Sequence, residues 1–293
     1  MKSTRNLSGL LYIVAAATLF GVMPVFAKIV LQNGTNSLSL VFIRYFLAFI
    51  LTAIIMLISK IPFRVTKKQL KHLIIFGTCG GGLTSLLLTS SYVYLPVGIS
   101  TMFHFSYPFF VAVIMIFFKE RFTLTKAVAI TFAIGGMVLM TDFGGTMKPI
   151  GIILAILSGL SLAVYIVAAN KSSIQSLNPF TAFFYSSFLS SVLLGIAVFS
   201  GNNLTLPKTM LDWTYIGIIA LFCTSLSYSL LTAGAQRVNS TIASIVNMLE
   251  PLVCILAGAV FLKEIPSLKT IIGCLLVFSA IVITVLKKDR HAS

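Results

Sequence analysis

Ten runs of about twenty apolar residues, divided by short polar punctuation, fill this 293-residue chain and limit its fold more than any motif does. A bilayer hydrocarbon core about 30 Å thick is crossed by roughly 20 residues of helix, and inside it the backbone must satisfy its own hydrogen bonds. The runs fall at 7–31, 37–59, 72–95, 97–118 and 125–141, then at 150–170, 179–200, 212–235, 239–262 and 268–286. They predict an all-α polytopic membrane protein of ten transmembrane helices. The fifth run is the shortest and the turn at Pro96 and Gly98 is tight, so eight or nine spans is the alternative count. At 58% hydrophobic and 9% charged residues, against about 25% charged in soluble domains, a soluble globule is excluded. Lys2 and Arg5 ahead of the first run resemble a secretory leader, but further membrane spans follow, so the expectation is an uncleaved first helix.

A net charge of +15 invites a nucleic-acid reading until the 21 basic residues are placed. With the N-terminus inside, Lys2, Arg5, Lys60, Arg64, Lys67, Lys68, Lys71, Lys119, Arg121, Lys126, Lys171, Arg237, Lys287, Lys288 and Arg290 fall in cytoplasmic segments. Only Lys148, Lys208, Lys263 and Lys269 fall outside. Because cytoplasmic loops carry the excess of Lys and Arg, both termini are expected in the cytoplasm. The charge is then a topology signal, and no nucleic-acid partner is expected. Cys79, Cys223, Cys254 and Cys274 sit singly in apolar runs, without the spacing of a metal site or a disulfide framework.

A shift of about 143 residues lays the second half over the first. Tyr94 to Pro108 aligns with Arg237 to Pro251, and each proline is followed by an apolar stretch closing on a Lys-Glu pair, Lys119-Glu120 and Lys263-Glu264. Gly135-Gly136 matches Gly273-Cys274, and Gly9 matches Gly151. The halves divide at 143/144, giving repeats 1–143 and 144–293. Five helices is an odd number, so the second copy enters the membrane from the opposite side. Inverted repeats of this kind support alternating access about a site near the midplane.

The same landmarks carry a family resemblance. GVMPVFAK from Gly21, IRYFLAF around Arg44, Tyr107-Pro108 followed by FKERFTL, and Glu250-Pro251 followed by FLKEIPSLKTIIG are similar to the drug/metabolite transporter superfamily, of the type with two EamA domains. The resemblance implies a ten-helix plasma-membrane carrier, usually an exporter of metabolites or amino acids, with a central cavity lined from both repeats. In one departure Ser186 stands where Arg44 would recur, so the basic position is not duplicated.

Ionisable groups inside a bilayer are costly, about 2.5–3.5 kcal/mol at the centre on insertion scales, so those present are functional candidates. Lys28, Arg44, His104 and Glu250 qualify. Glu250 is the deepest acid, roughly 15 Å into its helix. The repeat pairs Tyr107 with Glu250 and His104 with Asn247, so each copy presents two polar side chains at i, i+3 on one helix face. Glu250 is expected to hold a cationic part of the substrate or a coupling proton, with His104 as a second titratable group; the alternative is a purely structural ion pair. Arg44 and Lys28 lie nearer the external ends, as an anion site or as snorkelling cations. Thr84, Tyr92 and Ser227, on spans rich in small and hydroxyl residues, either line a hydrated path or pack helices. Gly21, Pro24, Pro108 and Pro251 are candidate hinges, and the last two free a backbone carbonyl. Glu120 and Glu264 are expected as helix-end anchors.

Together these residues point to a secondary transporter of a small polar metabolite such as an amino acid, with membrane lipid as its surroundings and no cofactor. No GxxxxGK[ST] loop supplies ATP drive. A membrane-embedded enzyme and an uncoupled channel or lipid scramblase are the alternatives; His104 has no HExxH or GxSxG context for the first.

Overall fold

The computed structural model describes residues 2–95, 97–120, 123–141, 148–263 and 266–286. Pro96, Arg121, Glu264, Lys287, Lys288, Arg290 and the 143/144 division lie outside the described residues. Among the described residues there are ten apolar helices: α1 (Asn6–Gln32), α2 (Ser37–Ile58), α3 (Lys67–Ser91), α4 (Ile99–Phe117), α5 (Leu124–Met140), α6 (Pro149–Lys171), α7 (Pro179–Ser200), α8 (Met210–Ala235), α9 (Ser240–Phe261) and α10 (Leu268–Val285). Nine are long enough to span a bilayer; α5, with 17 residues, reaches about 26 Å. No strand occurs among the described residues. The third run begins earlier than its hydropathy indicates, because Thr66 and Gln69 form a reciprocal capping box that starts a polar helical turn ahead of the apolar stretch.

Both halves carry the same local devices at matching positions. All four non-glycine residues with positive φ among the described residues fall into two related pairs: Lys60 (53°) with Asn202 (49°), and Lys119 (59°) with Lys263 (56°). These are helix stops. Ile61 N–H bonds Met56 O at 2.8 Å, Asn203 N–H bonds Val198 O at 3.0 Å, and Glu120 N–H bonds Met115 O at 3.1 Å, the six-to-one closure of a Schellman cap. The Lys-Glu landmark is thereby a left-handed cap followed by an acid. Likewise α4 and α9 are each broken, into Val97–His104 and Tyr107–Phe117, and into Ser240–Asn247 and Leu249–Leu262. The first pieces stand in strict 143-residue register.

Each break precedes its proline. Met248 (ψ 2°) leaves the α conformation and Ser106 (ψ −6°) stands at its edge, and Ser106 N–H to Phe103 O (3.2 Å) and Met248 N–H to Ile245 O (3.1 Å) tighten the chain. Pro108 and Pro251 then fall in the first turn of the new segment, where a missing N–H is tolerated. Pro24, in contrast, is exposed in an α1 that continues through it.

Hydrogen bonds between connections define two faces. On one, Gln69 reaches Ser176, Thr181 reaches Pro62 O, Gln236 reaches Ile174 O and Leu177 O, and Asn239 reaches Glu120. The start of α1 is there too, since a Cβ at Gly9 would lie 2.7 Å from Val238. On the other face Asn33 reaches Asp212, Asn36 reaches Asn203 O and Lys148 N–H reaches Tyr94 O. There Gly151, at the start of α6, lies against Leu95 at 2.7 Å from a built Cβ. Helices α1 and α6 therefore start on opposite faces, and Gly9 and Gly151 abut the aligned residues Val238 and Leu95.

Between the halves, α1 packs on α8 and α9 as α6 packs on α3 and α4, while α2 meets α7 and α5 meets α10. The last contact is reciprocal: a Cβ on Gly136 or on Gly273 would stand 2.6 Å from the other's carbonyl oxygen. Gly273→Val should lower thermal stability in detergent by about 1–3 kcal/mol through overpacking. Gly135→Ala, whose Cβ meets nothing within 4 Å, should leave stability unchanged or raise it by up to about 1 kcal/mol; equal losses in both would refute the close packing.

Candidate functional site

The two broken helices, with α1, α2, α3, α6 and α8, enclose a cavity of about 90 Å³. This is small beside the roughly 300–1,000 Å³ of drug-sized sites. Its polar lining is Arg44, Glu250, His104, Asn247, Thr84, Ser85 and Tyr228; its apolar wall is Phe20, Met23, Leu88, Leu162 and Leu231. Five of the residues singled out in the sequence, Arg44, His104, Thr84, Asn247 and Glu250, thus meet in one place although up to 206 positions separate them.

The guanidinium of Arg44 is 8% exposed yet poorly satisfied. Nη2 donates to Ser85 Oγ at a long 3.4 Å, Nη1 touches the Met23 sulfur, and Nε has no partner. The group lies 4.9 Å from the ring of Tyr45, a cation–π contact. Ser85 continues to the Tyr45 hydroxyl (3.3 Å), and Tyr45 to the Tyr228 hydroxyl (3.0 Å). Tyr228 is held flat on Phe183, with ring centroids 5.5 Å apart and planes at 13°, and edge-on to Phe20 at 4.8 Å. A relay of hydroxyls therefore leads from the cation to an aromatic wall of the cavity.

Glu250 belongs to the first turn after the α9 break, and no described residue gives its carboxylate a hydrogen bond or an ion pair. Gly21 fixes its backbone: a Cβ there would stand 2.6 Å from Glu250 O, so α1 lies directly on this turn. Gly159 of α6 lies on His104 O in the same manner, again 2.6 Å from a built Cβ. That carbonyl is the one Pro108 cannot bond.

His104 Nδ1 is 2.9 Å from Ser158 Oγ, and Ser158 Oγ lies 2.6 Å from Ala155 O. A carbonyl only accepts, so the serine proton goes to Ala155 and the imidazole Nδ1–H donates to the serine. The neutral ring then keeps Nε2 as an acceptor. Asn247 donates from Nδ2 to the Tyr107 hydroxyl at 3.1 Å, while its Oδ1 is buried without a partner. Arg44 Nε, a donor, and Asn247 Oδ1, an acceptor, are the unsatisfied buried atoms on the cavity's polar residues.

Other expected residues lie elsewhere. Tyr107 is fully buried behind Asn247 and does not line the cavity. Ser227 donates to Ala16 O at 2.9 Å and ties α8 to α1, while its neighbour Tyr228 faces the cavity. Thr84 lines it, but its hydroxyl bonds Cys79 O and Ser158 O. Tyr92 is half-buried and bonded to Thr101, and Lys28 is exposed outside the lining. Ser85, Tyr45 and Tyr228 were missed, although each directly follows a residue singled out in the sequence: Thr84, Arg44 and Ser227. Among the described residues no group of three or more His, Cys, Asp or Glu forms a metal site.

Tyr107→Phe should cost about 1–3 kcal/mol, because the buried Asn247 amide loses its acceptor. Adding Asn247→Leu, which removes the amide as well, should recover part of that loss; thermal unfolding of the single and double variants checks the coupling.

The sequence profile of the EamA-like transporter family matches the chain twice, over 7–142 and 149–286. An uncharacterized transporter of Archaeoglobus fulgidus is 27% identical over 252 residues, covering 84% of this chain and 87% of that protein. The uncharacterized transporter YetK of Bacillus subtilis is 24% identical over 299 residues, covering 98% of this chain and 89% of its own. A crystal structure of a protein 15% identical in sequence superposes with a TM-score of 0.83 over the full length of both chains, a likeness of fold.

Proposed function

The chain belongs to the EamA-like transporter family, and within it we propose a secondary carrier for a small zwitterionic metabolite, in the simplest case an amino acid, exported by alternating access. The observation that carries this reading is the pairing of Arg44 and Glu250 around one cavity without direct contact. Buried opposite charges normally close on each other, since an unpaired charge in a low-dielectric interior is strongly unfavourable. Here a ligand with a carboxylate and an ammonium group completes both. The carboxylate takes Arg44, where Nε is free, and the ammonium takes Glu250 and the Asn247 Oδ1. Tyr228, Phe20 and Leu231 are the wall for the side chain.

The two halves, 1–143 and 144–293, are the bodies that rock about this site, and their opposite insertion lets each mirror the other's movement. The face that gathers the α2–α3, α4–α5, α6–α7 and α8–α9 connections carries most of the basic residues. We place it in the cytoplasm of a plasma membrane, with both termini there. A proton that binds Glu250 in exchange for the ammonium is the coupling we favour. An enzyme would need a nucleophile with a base or a metal, and the cavity offers His104 with the hydroxyls of Thr84, bonded to Cys79 O, and Ser85, bonded to the Tyr45 hydroxyl. A channel or scramblase would not need opposite charges paired around one cavity.

Purified protein in proteoliposomes should show saturable counterflow of one or more amino acids. Glu250→Gln should abolish it while leaving insertion and melting behaviour near wild type. Arg44→Lys, which keeps the charge but loses the planar fork, should weaken affinity by about tenfold or more, the 1.4 kcal/mol of one lost charge-assisted hydrogen bond. Flux that does not saturate, or full counterflow in Glu250→Gln at every pH, would defeat the reading.

A further inference from the structure

Glu120 is an acid that the cavity does not use, and it joins the two halves. The left-handed cap at Lys119 directs it to the start of α9, where Asn239 Nδ2 donates to Oε2 at 2.7 Å and Thr241 Oγ1 to Oε1 at 3.2 Å. Lys126 Nζ forms an ion pair with the same carboxylate. Only 13% of the Glu120 side chain is exposed, so the charge is satisfied within the interface. Asn239 serves twice, since its Oδ1 also caps the helix by accepting from Thr241 N–H at 2.9 Å. The segment it starts, Ser240–Asn247, has eight residues, about 12 Å, and ends on the unsatisfied amide of the cavity.

A second, outward-open cavity of about 670 Å³ lies at the near end of that segment, bordered by Asn239, Arg237, Gln236 and Lys171. Between the two cavities, Thr232 stands midway on α8 between Tyr228 and Gln236, and its hydroxyl is 2.6 Å from Tyr165. The outer cavity is thus a mouth, closed from the central one by a packed layer through which the Ser240–Asn247 segment runs. On the opposite face the repeat places Pro96 and Gly98 where Asn239 and Thr241 stand. Neither has a side-chain donor.

We propose that Glu120 is the latch of this mouth: it holds the Ser240–Asn247 segment shut through Asn239 and Thr241, a pair of donors that the aligned Pro96 and Gly98 do not repeat. The carrier is therefore biased toward closure on the face that holds the start of α1. This rests on the alternating-access reading, but it concerns access to the site and not what the site binds. Asp is as good a helix cap as Asn, so Asn239→Asp keeps the cap, replaces the donor with a second carboxylate and repels Glu120. Adding Glu120→Gln restores a donor facing an acceptor, with the roles exchanged.

The test is labelling of Ser244→Cys, a fully buried position in the segment, by a water-soluble maleimide in full-length protein with the four native cysteines changed to alanine. Asn239→Asp should label faster than its parent by roughly ten- to hundredfold, the range for losing charge-assisted hydrogen bonds. Glu120→Gln with Asn239→Asp should return to near the parent rate. Amide hydrogen exchange of residues 240–247 in the native-cysteine chain reads the same opening and serves if the cysteine-free background does not fold. Parent-like labelling or exchange in Asn239→Asp, or a double variant as open as Asn239→Asp, overturns the latch. Neither measurement needs a substrate, so that result leaves the transport reading to the counterflow assay.

Discussion

A backbone inside hydrocarbon must be hydrogen-bonded or hidden, and the position of everything else in this protein follows from where that demand is relaxed. It is relaxed in the middle of α4 and of α9. At both places proline withholds a donor, the chain tightens into a three-residue turn, and a new helix starts. Such a defect is untenable against lipid, so both breaks face inward. They bring together the residues that flank them, His104 and Tyr107 from one, Asn247 and Glu250 from the other. The glycines of α1 and α6 then fit over the freed backbone, since Gly21 lies on the turn of Glu250 and Gly159 on the carbonyl of His104. The cavity is thus what remains between two interrupted helices and the two unbroken ones that cover them.

Most of that scaffold is legible in the sequence because it depends on patterns that recur. Span ends follow hydropathy within a few residues, the distribution of Lys and Arg sorts connections onto the faces that hydrogen bonds define, and the 143-residue shift reproduces the positions of the helix breaks. What the sequence did not show is the use of each side chain. Ser227 and Tyr228 are adjacent in one hydroxyl-rich stretch, yet a 100° turn of helix sends the first to the α1 backbone and the second to the cavity. Hydrophobic periodicity separates a buried face from a lipid face, but in a helix surrounded by others nearly every face is buried. Tyr107 shows the same limit: it aligns with Glu250, but stands behind Asn247 as its support. Pro24, a candidate kink or hinge, lies inside an α1 that is continuous here.

The scaffold repeats, but the chemistry on it does not. Arg44 has Ser186 as its counterpart, His104 has Asn247 and Tyr107 has Glu250. One cation and one carboxylate therefore stand where strict duplication would place two of each, and two like charges in so small a cavity would repel by several kcal/mol. Symmetry is retained where it fixes geometry, in the caps, breaks and glycine contacts, and is abandoned where charge must be complementary.

The same division holds at the ends of the molecule. Lys119 and Lys263 adopt the same left-handed cap, but the residues that Glu120 meets, Asn239 and Thr241, have Pro96 and Gly98 as their aligned counterparts, and neither has a side chain able to donate. A carrier built from two equivalent halves would have equal free energies for its two openings. On the alternating-access proposal, unequal occupancy of those openings requires residues that break the equivalence, and because one central cavity would serve both conformations, such residues act most directly in the connections. Glu120, Asn239 and Thr241 occupy such a connection: their hydrogen bonds join the two halves away from the cavity, and under that proposal affinity and gating are set by different residues on the same helix.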